Sequence, residues 1–183
     1  METADARRLF FALWPDDGVR AQIQSAAQAL IPRQAKAVPG DNLHVTLAFL
    51  GTVAGPARGC LERAAAAIRL PAFTLRLDRC GCWRRPRVVW LGAEPAPAAL
   101  LALVRALAAG MVDCGLEPER RPYQVHLTVA RKARHALRQG AIEPIEWRVD
   151  KFCLVQSLTL PEGAGYRVLH SWPLAAGEAP ADA

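Results

Sequence analysis

Leu43-His-Val-Thr-Leu-Ala-Phe-Leu50 is an extended apolar run closed by Gly51, and a shorter run of the same kind, Val125-His-Leu-Thr-Val-Ala130, recurs in the second half of the chain. On a β-strand, residues i and i+2 share a face while i+1 and i+3 share the other. Val45/Leu47 and Leu127/Val129 can therefore face a core, and His44/Thr46 and His126/Thr128 can face a cleft. Upstream of each run lies the same order of signals. Arg8-Leu-Phe-Phe-Ala-Leu13 is strand-like, Pro15-Asp16-Asp17 starts a helix, and Val19, Ile23, Ala27 and Leu30 continue it at helical spacing until Pro32. In the second half Arg87-Val-Val-Trp-Leu-Gly92 is strand-like, and Pro95-Ala-Pro97 opens a helix with Leu100, Val104, Leu107 and Met111 on its buried stripe and Gly115 as its cap. Arg8 to His44 is 36 positions and Arg87 to His126 is 39. The expected fold is α+β and bilobed, built from duplicated strand–helix–strand units, although one continuous α+β sheet would give the same repetition.

Outward from these units, a further helix is expected from Ala57 to Arg69, and Phe73, Leu75 and Leu77 alternate with polar residues as in a strand with one wet face. Arg131 to Arg138 reads as a basic loop or helix. Trp147–Val155 and Tyr166–Trp172 read as the last strands. Residues 1–174 are expected to form one bilobed domain, and 175–183 a frayed tail.

The 183 residues carry 23 Lys+Arg against 17 Asp+Glu, a formal charge of +6, with 52% hydrophobic and 22% charged residues. Disorder is excluded for most of such a chain, and the mild positive charge fits an anionic partner without indicating a protein that coats DNA. The most apolar stretch, Pro95–Val112, contains Arg105. A charge at the bilayer centre costs ~2.5–3.5 kcal/mol even on lenient scales, so a buried core helix is expected there. The apolar run Leu9–Leu13 is too short for a signal-peptide core, so no secretion signal is expected. The five cysteines, Cys60, Cys80, Cys82, Cys114 and Cys153, are odd in number and scattered, which does not suggest a disulfide framework. A soluble, cytoplasmic protein is expected, with monomer as the default. Cys80-Gly-Cys82 lacks the second pair that a zinc site needs, and no phosphate-cradling glycine motif is present, so neither metal nor cofactor is expected.

Two imidazoles in one cleft can divide a proton-transfer task, because histidine titrates near neutral pH. The neutral ring accepts a proton from an attacking hydroxyl or water, and the protonated ring gives one to the leaving oxygen. Threonine hydroxyls can hold non-bridging phosphate oxygens without adding charge. Binding without catalysis, or a metal held by His44, His126 and a carboxylate, are the other chemistries open to this set. Trp90 and Tyr123 could stack on a base but are more commonly core residues.

These residues resemble the two-histidine (2H) phosphoesterases, and within them the RNA 2′,3′-cyclic phosphodiesterases, also called the 2′-5′ RNA ligase family. The likeness runs from Arg8-Leu-Phe-Phe-Ala to Tyr166-Arg-Val-Leu-His-Ser-Trp172. Asn42-Leu-His-Val-Thr-Leu-Ala-Phe-Leu-Gly51 matches the first family motif throughout. The second, Pro122-Tyr-Gln-Val-His126, has Val125 where members usually carry proline; valine restores an N–H and suits a strand. The resemblance implies two antiparallel sheets lining a central groove, with opening of a terminal 2′,3′-cyclic phosphate to a 2′-phosphate on RNA 3′ ends or oligonucleotides. It implies His44 as proton donor, His126 as proton acceptor, and Thr46, Thr128 and Arg131 as substrate-binding residues. The reverse reaction, 2′-5′ ligation, would use the same imidazoles with roles exchanged.

Overall fold

The computed structural model describes residues 6–134, 138–161 and 163–175. Among them the strands are β1 (Arg7–Leu13), β2 (Lys36–Ala37), β3 (Val45–Val53), β4 (Phe73–Trp83), β5 (Val88–Gly92), β6 (Leu127–Arg131), β7 (Gly140–Val149), β8 (Lys151–Leu160) and β9 (Gly163–Pro173). The helices are α1 (Asp17–Gln28), α2 (Gly55–Ala66) and α3 (Ala98–Asp113). The architecture is α+β. Where two sheets were expected, the strands join in one hydrogen-bonded path, β7-β4-β5-β6-β3-β1-β8-β9, with β2 added beside β6. All the strand pairings are antiparallel.

The join at the middle of this path is a single residue pair, Val45 with Leu127. On one side stand β6, β5, β4 and β7, on the other β3, β1, β8 and β9. The outer strands show how far the sheet bends. β7 ends at Val149 and β8 begins at Lys151, yet six inter-strand steps of ~4.8 Å each separate them along the path. One intervening residue spans only ~7 Å, so the sheet must curl until these strand ends meet. The stretch expected as one strand, Trp147–Val155, is therefore two, and Asp150 carries the chain from one wall to the other.

The helices follow their sequence signals. Asp16 accepts a hydrogen bond from the Val19 N–H at 2.8 Å and caps α1, whose buried face is Val19, Ile23 and Ala27. Such a cap is worth ~1 kcal/mol. α3 buries Leu100, Leu103, Leu107 and Met111; Leu103 takes the place expected for Val104, which is half-buried. Beyond α3, Gly115 takes a φ of 77° and lets the Leu116 N–H reach the Met111 carbonyl at 2.8 Å, the closing bond of a glycine-terminated helix. α2 ends at Ala66 rather than at the expected Arg69, and the Arg69 guanidinium turns back to donate to the Ala66 carbonyl at 2.7 Å. The helices pack on the sheet face that carries Val45, Leu127 and Val129, forming the main core. No helix among the described residues is long and apolar enough to cross a membrane.

Two expectations are corrected. Cys60 of α2 and Cys114 at the end of α3 are joined in a disulfide, with Cα atoms 5.8 Å apart. The pairing comes from the packing of one helix on the other, which no spacing in the sequence reveals; Cys80, Cys82 and Cys153 stay free and make the count odd. Ala175 is ordered, since its carbonyl accepts from the Ala72 N–H and its own N–H reaches Leu70. The remainder of the expected tail, 176–183, lies outside the described residues, as do 135–137 of the basic stretch.

Candidate active site

Because β3 and β6 run antiparallel through the Val45–Leu127 pair, the residues on either side cross over. His44 comes beside Thr128, and Thr46 beside His126, all four on the face opposite the core. They line one cleft of about 600 Å³, whose walls also carry Arg8, Phe10, Phe49, Trp83, Pro86, Ser157, Tyr166 and Arg131. The five residues singled out in the sequence, His44, Thr46, His126, Thr128 and Arg131, thus meet in a single groove.

Both imidazoles are held by the same local device. His44 Nδ1 lies 2.7 Å from the Asn42 carbonyl, and His126 Nδ1 lies 3.0 Å from the Gln124 carbonyl, each two residues upstream. A carbonyl only accepts, so Nδ1 carries the hydrogen in each ring and the neutral tautomer leaves the Nε2 lone pair for the groove. Tyr123 ties the second motif to the first, its hydroxyl donating to the Thr46 carbonyl at 2.9 Å. Burial pushes its phenol well above the usual range. Trp90 is only 4% exposed. These two aromatics are structural. His170 packs on Trp172, and no group of three or more His, Cys, Asp or Glu among the described residues could hold a metal ion.

The aromatic surroundings of the histidines were not apparent from sequence. Trp14 stacks on His44 with ring centroids 5.2 Å apart and planes 5° from parallel, while Tyr166 meets the ring edge-on at 5.0 Å and Phe10 lies at 5.0 Å. Trp83 meets His126 at 4.7 Å. Phe49, by contrast, is 64% exposed in the groove. Trp14 and Trp83 stand next to a proline-led turn and a hairpin turn, where no periodicity marks a partner. Phe49 reads as one more apolar residue of its strand.

This packing sets the titration. Burial, which disfavours the charged ring, holds the His44 pKa down from 6.5 to about 4; the Asn42 carbonyl opposes the shift, and Arg131 and His126 add to it. His126 is lowered too, again chiefly by burial, with Arg131 contributing and the Gln124 carbonyl opposing. Both rings are neutral in the unliganded protein at neutral pH. The unfolded chain takes up a proton at His44 near 6.5 but the folded chain only near 4, so the stability held above pH 6.5 is lost as pH falls through that window. The expected loss is roughly 3 kcal/mol at 1.36 kcal/mol per unit. Urea unfolding at about pH 7.5 and about pH 4 should show a smaller pH-dependent loss in His44→Gln than in the wild type; equal losses would mean the ring is not desolvated.

Residues 15–159 match the sequence profile of the 2′-5′ RNA ligase superfamily. An Escherichia coli (strain K12) protein named RNA 2′,3′-cyclic phosphodiesterase is 36% identical over 176 residues, covering 93% of this chain and 98% of its own. A Thermus thermophilus protein of the same name is 34% identical over 181 residues, covering 91% and 90%. The crystal structure of E. coli LigT complexed with 3′-AMP superposes with a TM-score of 0.83 at 36% identity, covering 93% of this chain and 99% of that one. With most of its length matched by the profile and by full-length relatives, the chain belongs to the 2′-5′ RNA ligase superfamily.

Proposed function

We propose that this protein is a phosphoric diester hydrolase that opens the terminal 2′,3′-cyclic phosphate of RNA or oligonucleotide ends to a 2′-phosphate, using the His44/His126 pair. The observation that carries the reading is the matched presentation of the two rings: the same tautomer, fixed by the same backbone contact, on the residue just before each of two adjacent strands of one groove. The names of the relatives support the substrate class. His126 Nε2 takes a proton from water as its oxygen attacks phosphorus. The bond from phosphorus to O3′ breaks, and His44 Nε2 gives its proton to O3′, leaving a 2′-phosphate and a 3′-hydroxyl. His44 must be charged for this, although burial keeps it neutral in the empty groove. The phosphodiester anion supplies the missing favourable charge, so the proton arrives with the substrate. Thr46 and Thr128 donate to the non-bridging oxygens, Arg131 holds the phosphate, and exposed Phe49 offers its ring to the terminal base.

The paired geometry also supports two duplicated lobes, one from β1, β3, β8 and β9 and the other from β4 to β7, acting within one monomeric chain. No step in this scheme requires a metal. Incubation with a 2′,3′-cyclic mononucleotide, with and without chelator, tests it: turnover to a 2′-phosphate insensitive to chelator is expected. Loss of turnover with chelator would assign the chemistry to a metal, and binding without turnover would make the groove a binding module. Arg131 is exposed on the groove wall. Arg131→Ala is expected to raise KM more than it lowers kcat in steady-state kinetics, with an effect that shrinks as salt screens the contact. A fall confined to kcat would place the guanidinium at the transition state instead.

A further inference from the structure

Among the described residues, two that are not glycine adopt a positive φ, Arg87 at 66° and Lys132 at 60°. That conformation crowds any side chain with a Cβ, and glycine is its usual occupant. Both exceptions are basic, both are exposed, and they are neighbours, since the Ala133 N–H donates to the Arg87 carbonyl at 3.2 Å. Arg87 closes the β4–β5 hairpin through its N–H to the Trp83 carbonyl at 2.9 Å. Arg84 and Arg85 are exposed at the tip of that hairpin. None of the ion pairs among the described residues includes any of these four cations. Four exposed like charges, none of them in an ion pair among the described residues, therefore lie on this hairpin and the strand end beside it, and two of them sit on backbone that glycine would relax.

The hairpin and that strand end adjoin the groove. Trp83 at the base of the hairpin packs on His126, Pro86 and Val88 form part of the groove wall, and Val88 pairs with Arg131. Phosphates are the anions that such a row of exposed cations binds without reading sequence. We propose that the rim formed by Arg84, Arg85, Arg87 and Lys132 binds the ribose-phosphate backbone of the RNA strand leading 5′ from the cyclic end, so that the substrate class is an oligonucleotide rather than a free cyclic nucleotide. This rests on the phosphodiesterase reading above. The groove takes the terminal nucleotide, and the rim takes the phosphates that follow it outward.

The experiment compares kcat/KM for adenosine 2′,3′-cyclic phosphate and for a short oligoribonucleotide ending in the same cyclic nucleotide. Three proteins are used: wild type, Arg87→Gly/Lys132→Gly, and that pair combined with Arg84→Ala/Arg85→Ala. The wild type is expected to prefer the oligonucleotide by about tenfold or more. The fourfold variant should lose that preference through KM while keeping its rate on the mononucleotide. The slope of log KM against log salt should fall by about 3, since each of the four phosphate contacts on a single strand contributes ~0.7. Arg87→Gly/Lys132→Gly should lose part of the preference yet keep or raise Tm, which a merely structural role for these side chains would not produce. Equal rates on the two substrates in the wild type, or an equal fall on both in the variants, would overturn the proposal. If the wild type turned over neither substrate, the catalytic reading would fail by itself. The Kd of a fluorescent oligoribonucleotide bearing a 2′-phosphate would still decide the rim: weaker binding by the fourfold variant supports it, and an unchanged Kd overturns it.

Discussion

Alanine at His44 or at His126 is expected to cut turnover of a 2′,3′-cyclic substrate by ~10³-fold or more, the upper part of the range for removing a general acid or base. The two variants remove different halves of one event. In the proposed mechanism the attacking water keeps its proton without His126, and the departing O3′ leaves as an alkoxide without His44. Since each loss disables the same step, His44→Ala/His126→Ala should be hardly slower than either single variant. Single-turnover rates with the three variants and the wild type measure this directly. Losses that multiply, with much activity left in each single variant, would mean the rings act independently. Circular dichroism guards the interpretation at His44, whose ring fills space between Trp14, Tyr166 and Phe10. His44→Gln keeps most of that volume and should be as inactive as His44→Ala.

Thr46→Val and Thr128→Val should each lower kcat by roughly 10- to 10³-fold, the scale of removing one donor to a developing oxyanion. Valine keeps the branched shape a strand prefers, so only the hydroxyl is lost. At Thr46 the backbone carbonyl that receives the Tyr123 hydroxyl is untouched by the change, and the link between the two motifs survives. Steady-state kinetics on a cyclic dinucleotide separate kcat from KM. Unchanged values for both threonines would show that their hydroxyls do not reach the phosphate, and the assignment of the groove face to transition-state binding would fail.

Local rules carried much of the fold. The capping aspartate at 16, the helical spacing of Val19, Ile23 and Ala27, and the period-two alternation from Phe73 all report on residues within a few positions of one another. The His-x-Thr pairs were legible for the same reason, because a strand sends i and i+2 to one face wherever it lies. Contacts between distant segments left no such trace. Trp14 on His44, Trp83 on His126 and Cys60 on Cys114 depend on how elements pack, and each of these residues is unremarkable in its own segment. β7 was obscured by Pro144, which removes a ladder donor. The structure accommodates it on an edge strand, near a register shift opposite Leu77 and Arg79, where proline is tolerated.

Among the described residues, Val45 and Leu127 are the one rung between the two walls of the groove. Away from that rung, no ladder hydrogen bond obliges a residue on one wall to match its counterpart on the other. Each wall is then free to diverge along its own strand while the rung keeps both histidines in register. Five residues beyond His44 stands Phe49, and five beyond His126 stands Arg131, both facing the same groove. From the same address on the two strands, one wall offers an apolar plane and the other a fixed positive charge. A nucleotide has the same asymmetry, with a flat base at one end and an anion at the other, so a groove with two like walls becomes able to tell which way round its ligand lies.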